Sequence, residues 1–244
     1  MSLPISIPKK PLEGQIALVT GASRGIGYAI SRKLANLGAT LALCARDEGR
    51  LANVTREFEC DGAGALAIPA DLSRSADIAR VVQTAERSLG PIDLLVNNAG
   101  LGYFGPAHEA SEKTWDSLLD TNLKAVFLLS KAVAPEMIRR RRGQIINIAS
   151  LAGKSAFAGG AIYCASKWGL LGLTQCMAED LRSFGIRVSA ICPGSVATDF
   201  SPHAGKDASK MLRPDDVAHA VGTLVTQDPG SFISEILLRP TRKP

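Results

Sequence analysis

The chain has 244 residues, 46% hydrophobic and 21% charged, with a net charge of +5. This is the composition of a globular domain with a sizeable core, and it excludes collagen-like, low-complexity and disordered classes. No apolar run reaches the roughly 18 residues of a membrane span, and five cysteines without C-x-x-C spacing suit reduced thiols in a cytoplasm and offer no metal site.

The start, MSLPISIPKKPLEG, has early prolines and no signal-peptide core, so residues 1–13 are expected to form a mobile arm ahead of one domain spanning 14–244. The apolar run Ile16–Val19 reads as a buried parallel strand, and the turn Thr20–Gly27 leads into a helix over about Gly25–Leu37. Strand, glycine-rich turn and helix suit a dinucleotide: Gly21, Gly25 and Gly27 allow close approach to a pyrophosphate, and the helix N-terminus supplies N–H groups. The spacing is G-x-x-x-G-x-G rather than the G-x-G-x-x-G fingerprint, so the strand and helix around it carry the weight.

A second strand, Thr40–Ala45, ends in Arg46, with Ala45 where an NAD-selective site usually carries an acid. Arg46 and Arg24 suit a 2′-phosphate, which a guanidinium fork binds bidentately. The pattern repeats through a helix at Glu48–Cys60, a strand at Ala65–Ala70 ending in Asp71-Leu72, and a helix at Ser75–Leu89. Strand Ile92–Val96 enters the polar turn Asn97-Asn98-Ala99-Gly100, placed where open parallel sheets bind ligands. A helical region over about 111–142 contains Asn122, which could tie two elements together or hold water, and Pro135, expected to kink it. It ends in Arg139–Arg142 before Gly143. Cations there match the helix dipole, so a solvated helix end is favoured over nucleic-acid binding, which has no aromatic-rich basic face in support.

Strand Gln144–Ala149 delivers Ser150, a helix over about 161–184 carries Tyr163 and Lys167, and strand Ile186–Cys192 runs into Pro193-Gly194-Ser195-Val196-Ala197-Thr198. Positions i and i+4 share a helix face, so Tyr163 and Lys167 can enter one cleft. A tyrosine that titrates near 10 is a poor base at neutral pH, and lowering it by three units takes about 4 kcal/mol, part of which Lys167 can supply. Ser150 can hydrogen-bond a carbonyl or alcohol oxygen. Taken alone, Y-x-x-x-K is more often an ordinary helix face. Alternating strands and helices change that, because they predict an α/β parallel sheet that collects Gly21, Arg46, Asp71, Asn98, Ser150 and Gly194 along one edge.

From about Gly14 onward the chain resembles the classical short-chain dehydrogenases/reductases. T-G-x-x-x-G-x-G, N-N-A-G, Asn122, Ser150, Y-x-x-x-K and P-G-x-V-x-T occur in family order. The resemblance implies a single-domain Rossmann fold, a doubly wound seven-stranded parallel sheet with helices on both faces. It implies Tyr163 as general acid/base, Lys167 lowering its pKa and binding the nicotinamide ribose, Ser150 holding the substrate oxygen, and Asn122 positioning a relay water. NADP(H) would be held by Gly21, Ser23, Arg24, Gly25, Ile26, Gly27 and Arg46, with Asp71 and Leu72 beside the adenine. Asn98, Ala99, Gly100, Pro193, Gly194, Val196 and Thr198 would complete its site.

Partners implied are a small carbonyl or alcohol substrate, or an acyl thioester, and a second copy of the chain as a homodimer or homotetramer, with no nucleic acid or membrane. A generic NADPH-dependent carbonyl reductase leads. A 3-oxoacyl-(acyl carrier protein) reductase, suggested by the basic segment Met137–Gly143, stands as alternative, and a non-catalytic nucleotide-binding protein as a second. Phe184, where those reductases often carry an arginine, and the tail ISEILLRP, similar to small-carbonyl reductases, favour the first. Leu101, Tyr103, Leu151, Phe157 and Phe200 suggest an apolar pocket, with His203, Lys206 or Lys210 as candidates for a carboxylate clamp from a substrate loop over about 195–213.

Overall fold

The computed structural model describes residues 10–200 and 207–242. Its strands are β1 (Ile16–Thr20), β2 (Thr40–Ala45), β3 (Ala65–Pro69), β4 (Leu94–Asn97), β5 (Gly143–Ile148), β6 (Ile186–Pro193) and β7 (Glu235–Leu238). They form one parallel seven-stranded sheet in the order β3-β2-β1-β4-β5-β6-β7. The order reverses between β1 and β4, which opens a crevice at their carboxyl ends.

Alternation along each strand divides the core. Ala17 and Val19 of β1 join Leu41, Leu43 and Ile146 on one face, under helices α1 (Gly25–Asn36), α2 (Glu48–Cys60) and α7 (Pro214–Thr226). Ile16 and Leu18 join Ala42, Leu95 and Ile145 on the other, under α3 (Ser75–Leu89), α5 (Ala125–Arg140) and α6 (Ala161–Arg182). Both faces are covered, which is why the strands read as unbroken apolar runs.

Two details differ from expectation, at residue 12 and at the end of α5. The domain does not begin at residue 14, because Leu12 is buried and its N–H bonds to Leu37 O at 2.8 Å; residues 1–9 of the expected arm lie outside the described residues. The helical region over 111–142 is continuous from 112 to 140 and carries a π-helical turn at Asp120–Lys124 between α4 (Glu112–Leu119) and α5. Arg139, Arg141 and Arg142 are exposed, as a solvated helix end requires, but Arg140 is largely covered and the helix stops at Arg141 rather than at Gly143. Arg141 itself takes the left-handed conformation, at φ 49°, and donates to Ser183 O. Arg139 pairs with Glu136, while Arg140 donates to Asp93 at 2.7 Å and to Ile92 O.

Asp93 ties the amino ends of β1, β4 and β5 together. Its carboxylate accepts from Ile16 N at 3.0 Å, and its own carbonyl accepts from Gln144 N. Asp93→Asn is expected to destabilise the protein by about 2 kcal/mol in urea unfolding, because the largely covered Arg140 loses one of its two carboxylate partners and keeps only Glu136. Replacing Arg140 with Met in the same chain should recover part of that loss; an additive double mutant would show the pair to be independent.

Candidate active site

At the glycine turn the backbone sets the geometry. Gly21 sits at φ +65°, and a Cβ on Gly27 would fall 2.2 Å from Gly21 O, so α1 approaches β1 closer than any side chain permits. The first turn of α1 has neither an acidic residue nor a capping side chain, so its N–H groups remain available to an anion. The turn after β4 is stitched to the same point. Asn98 Nδ2 donates to Thr20 O at 2.9 Å, and Thr20 Oγ1 accepts from the N–H groups of Asn98 and Ala99.

A buried amide ladder supports the next strand: Asn97 donates to Asn147, which donates to Thr174 of α6. Beyond β5, Ser150 accepts from Ala152 N at 3.1 Å and hydrogen-bonds the Tyr163 phenol. Asn122, fully buried in the π turn, accepts from Leu101 N and donates to Leu101 O and Ser166 Oγ. Of the two roles open to it, this is the tie between elements. Its Oδ1 and Lys167 Nζ still converge, lying 3.2 and 3.9 Å from where a Cβ on Gly100 would be.

These residues surround one cleft of about 1660 Å³. Every residue expected at the cofactor or catalytic site lines it except Gly27, which serves packing, and Asn122, which lies behind Leu101. Leu101, Leu151, Phe157 and Phe200 line it as well. Tyr103 does not, and the adjacent Phe104 takes its place with its ring 5.5 Å from that of Tyr163. Single-residue orientation in an irregular loop has no period from which to be read. Arg50 was also missed; one helical turn beyond Arg46, it enters the wall from α2, anchored by Asp47.

Of the proposed clamp residues, His203 and Lys206 lie outside the described residues, and Lys210 pairs with Asp207 away from the cleft. Arg24 lines the cleft but is engaged, pairing with Asp199 at 3.2 Å across its mouth.

Electrostatics differ from expectation at Tyr163. Burial pushes its phenol up to about 12, against which the Ser150 hydrogen bond acts. Lys167 stands 5.9 Å from the ring centroid and gives its ammonium to Ile148 O at 3.0 Å. Burial lowers Lys167 itself from 10.5 to about 8. In the protein alone, desolvation therefore outweighs the mutual stabilisation of phenolate and ammonium.

Comparison with known proteins adds the following. The family model described as short chain dehydrogenase matches residues 15–209. The chain is 44% identical over 188 residues to a putative ketoacyl reductase of the granaticin polyketide synthase from Streptomyces violaceoruber, covering 76% of this chain and 69% of that one. A metagenomic short-chain oxidoreductase solved in complex with NADP is 49% identical with a TM-score of 0.85, covering 95% of this chain and all of the other. A blue fluorescent protein from a metagenomic library, solved with NADPH, is 33% identical with a TM-score of 0.87, covering 94% of this chain and 98% of its own.

Lys167 also carries a stability signature. Between pH 8 and 10.5 the unfolded chain binds more protons at this lysine than the folded one, so stability rises with pH through that window. Below it, the folded state bears the full penalty, on the order of 3 kcal/mol. Lys167→Met should therefore unfold at higher urea than the parent at pH 7, by up to about 3 kcal/mol, with the gap closing towards pH 10.5. A gap that does not change with pH would show that the ammonium is not desolvated.

Proposed function

Since the chain belongs to the short-chain dehydrogenase family, we propose that it is an NADP(H)-dependent oxidoreductase interconverting a ketone or aldehyde and the corresponding alcohol, with Tyr163 as acid and base. The observation that carries this is the meeting of Ser150, Tyr163 and Lys167 in the same cleft as the uncapped N-terminus of α1. When bound, the cofactor supplies or accepts the hydride.

The chain's residues do the rest. Gly21, Ser23, Gly25 and Ile26 present backbone to the pyrophosphate, with Gly27 holding α1 in place. Arg46, with Arg24 released from Asp199 and Arg50 as a further cation, meets the 2′-phosphate. Asp71 and Leu72 flank the adenine, while Asn98, Ala99 and Gly100 with Pro193, Gly194, Val196 and Thr198 border the nicotinamide half. Ser150 donates to the substrate oxygen, Tyr163 exchanges its phenolic proton with that oxygen, and Lys167 binds the ribose. Lys167, joined in the oxidation direction by the positive charge that NADP⁺ would supply, would favour the Tyr163 phenolate and oppose the burial that raises it. Asn122 steadies the Leu101 backbone, and its Oδ1 beside Lys167 suits the proton relay that the family resemblance implies.

A 3-oxoacyl thioester is the second reading, favoured by the relative named a putative ketoacyl reductase. Against a carrier-protein partner stand Arg139–Arg142, all with partners inside the chain, and Phe184, which packs on the core. Loss of catalysis with retained nucleotide binding has no support, since Asn122, Ser150, Tyr163 and Lys167 are all present. The two substrates are separated by NADPH consumption on β-ketoacyl thioesters against small ketones and diketones.

We further infer a cytoplasmic homodimer or homotetramer. Five free cysteines fit a reducing compartment, and Trp115, Phe127 and Trp168, on α4, α5 and α6, are exposed apolar surface suited to a second copy. Sedimentation should give a multiple of 25.7 kDa, and monomer alone would overturn the assembly.

Tyr163→Phe should lower kcat by about 10³-fold or more while NADPH binding is nearly retained; normal turnover would refute the acid/base role. Arg46→Asp should weaken NADPH by about 100-fold relative to NADH, and equal loss of both would refute the 2′-phosphate contact.

A further inference from the structure

The cleft wall contains two cations that no cofactor phosphate accounts for. Arg239 and Arg242 follow β7 directly and both line the cleft that holds Ser150 and Tyr163. Strand order fixes their distance from the 2′-phosphate end. Arg46 follows β2 and Arg239 follows β7, five strand steps apart in the sheet, or about 24 Å at roughly 4.8 Å per step. Ser150 follows β5, only two steps away, about 10 Å, so the end of β7 stands nearer the catalytic serine than the 2′-phosphate end.

Contacts at the strand ends agree. Gly194 N donates to Leu238 O at 2.8 Å, locking the end of β7 to β6 immediately before Arg239. A Cβ on Gly194 would lie 3.3 Å from both Leu151 Cδ1 and Pro240 Cδ, so the residue after Ser150 and the residue after Arg239 meet over one glycine. The proline ring restricts the backbone at that point.

The carboxylates of the cleft wall are already engaged. Asp47 holds Arg50, Asp71 accepts from Ser73, and Asp199 holds Arg24. Glu235, the acid on β7, pairs with Lys154 at 2.9 Å. Among the described residues Arg239 and Arg242 have no carboxylate partner, and the cleft they line also carries the apolar side chains of Leu151, Phe157 and Phe200. An exposed arginine after a last strand is ordinarily a solvated charge; two of them without a carboxylate partner, on the wall of the cleft that holds Ser150 and Tyr163, suit an anion. Guanidinium forks match a carboxylate in a planar, bidentate pair.

We propose that Arg239, assisted by Arg242, is an anion clamp at the substrate end of the cleft, and that the substrate is an oxo acid or hydroxy acid whose carboxylate lies a few bonds from the carbon that exchanges hydride. This rests on the oxidoreductase reading above. In reduction the carbonyl carbon gains hydride from NADPH, which is oxidised to NADP⁺, and the oxygen gains the Tyr163 proton; the carboxylate changes no bonds and serves to orient the carbonyl towards Ser150.

The test pairs oxo acids of increasing carbonyl-to-carboxylate spacing with their methyl esters, in NADPH consumption and in binding of the matching hydroxy acids to the protein–NADP⁺ complex by tryptophan fluorescence. At one spacing the acid should exceed its ester in kcat/KM by about 30-fold, the size of one charge-assisted pair. Arg239→Gln should reduce that ratio to near one, chiefly through KM. Arg239→Lys, which keeps the charge and loses the fork, should retain an intermediate ratio, and Arg239→Glu should invert the preference. Esters reduced as well as acids, or a ratio unchanged in Arg239→Gln, would overturn the clamp and leave the oxidoreductase reading standing. Acids that bind in an Arg239-dependent way with no substrate reduced would uphold the clamp and overturn that reading. Absence of acid binding and acid turnover alike would overturn the clamp.

Discussion

Among the described glycines Gly27 leaves the least room for a side chain, because helix α1 lies against the carbonyl of Gly21. Much of the site depends on that contact. It holds the N-terminal end of α1 over the end of β1, and it leaves space for Asn98 to reach Thr20 O and Gly21 O. Through Thr20, the same point fixes the start of the turn after β4. A helix standing even one methyl group further away would aim its N–H groups elsewhere and release the Asn98 turn, so the phosphate-binding and nicotinamide-side walls share a single packing constraint.

From that fixed edge the polar interior carries order outward. The ladder Asn97–Asn147–Thr174 crosses from β4 through β5 to α6, the helix that bears Tyr163 and Lys167. Asn122 ties the Leu101 backbone to Ser166 on the same helix. Buried amides are costly unless paired, and here each amide nitrogen is paired with an element that also holds or supports a site residue, while Asn97 Oδ1 alone of the ladder has no partner among the described residues. The polar core thereby converts strand register into side-chain position at the active site. The π turn at Asp120–Lys124 belongs to this scheme, since it is where Asn122 leaves the α-helical course.

The charges show a division of labour along the cleft. At the β2 end, Arg46 and Arg50 stand where a nucleotide phosphate is expected, with Arg24 held in reserve by Asp199. At the β7 end, Arg239 and Arg242 line the same cleft. Between them the catalytic pair is desolvated, with Tyr163 raised and Lys167 lowered. A site that holds its titrating groups away from their solution pKa values stores free energy, which binding of an oppositely charged or cationic group can return.

The sequence by itself determined the fold class, the chain positions of strands and helices, and the motif residues on the carboxyl edge, because apolar periodicity and glycine spacing are local properties. Thr40–Ala45, Glu48–Cys60 and Ser75–Leu89 stand at the ends read from the residues alone. Only the tertiary structure decided which long side chains are available. Arg24 is claimed by a residue 175 positions away and Arg140 by one 47 away, and no local pattern encodes such pairings. It also decided that Phe104 rather than Tyr103 faces the cleft, and that Arg239 and Arg242 line the cleft that holds Ser150 and Tyr163, since both follow from how separate strand ends are brought side by side. The raised Tyr163 has the same origin: one lysine at i+4 was legible, whereas the depth of burial that opposes it is a property of the whole packed chain.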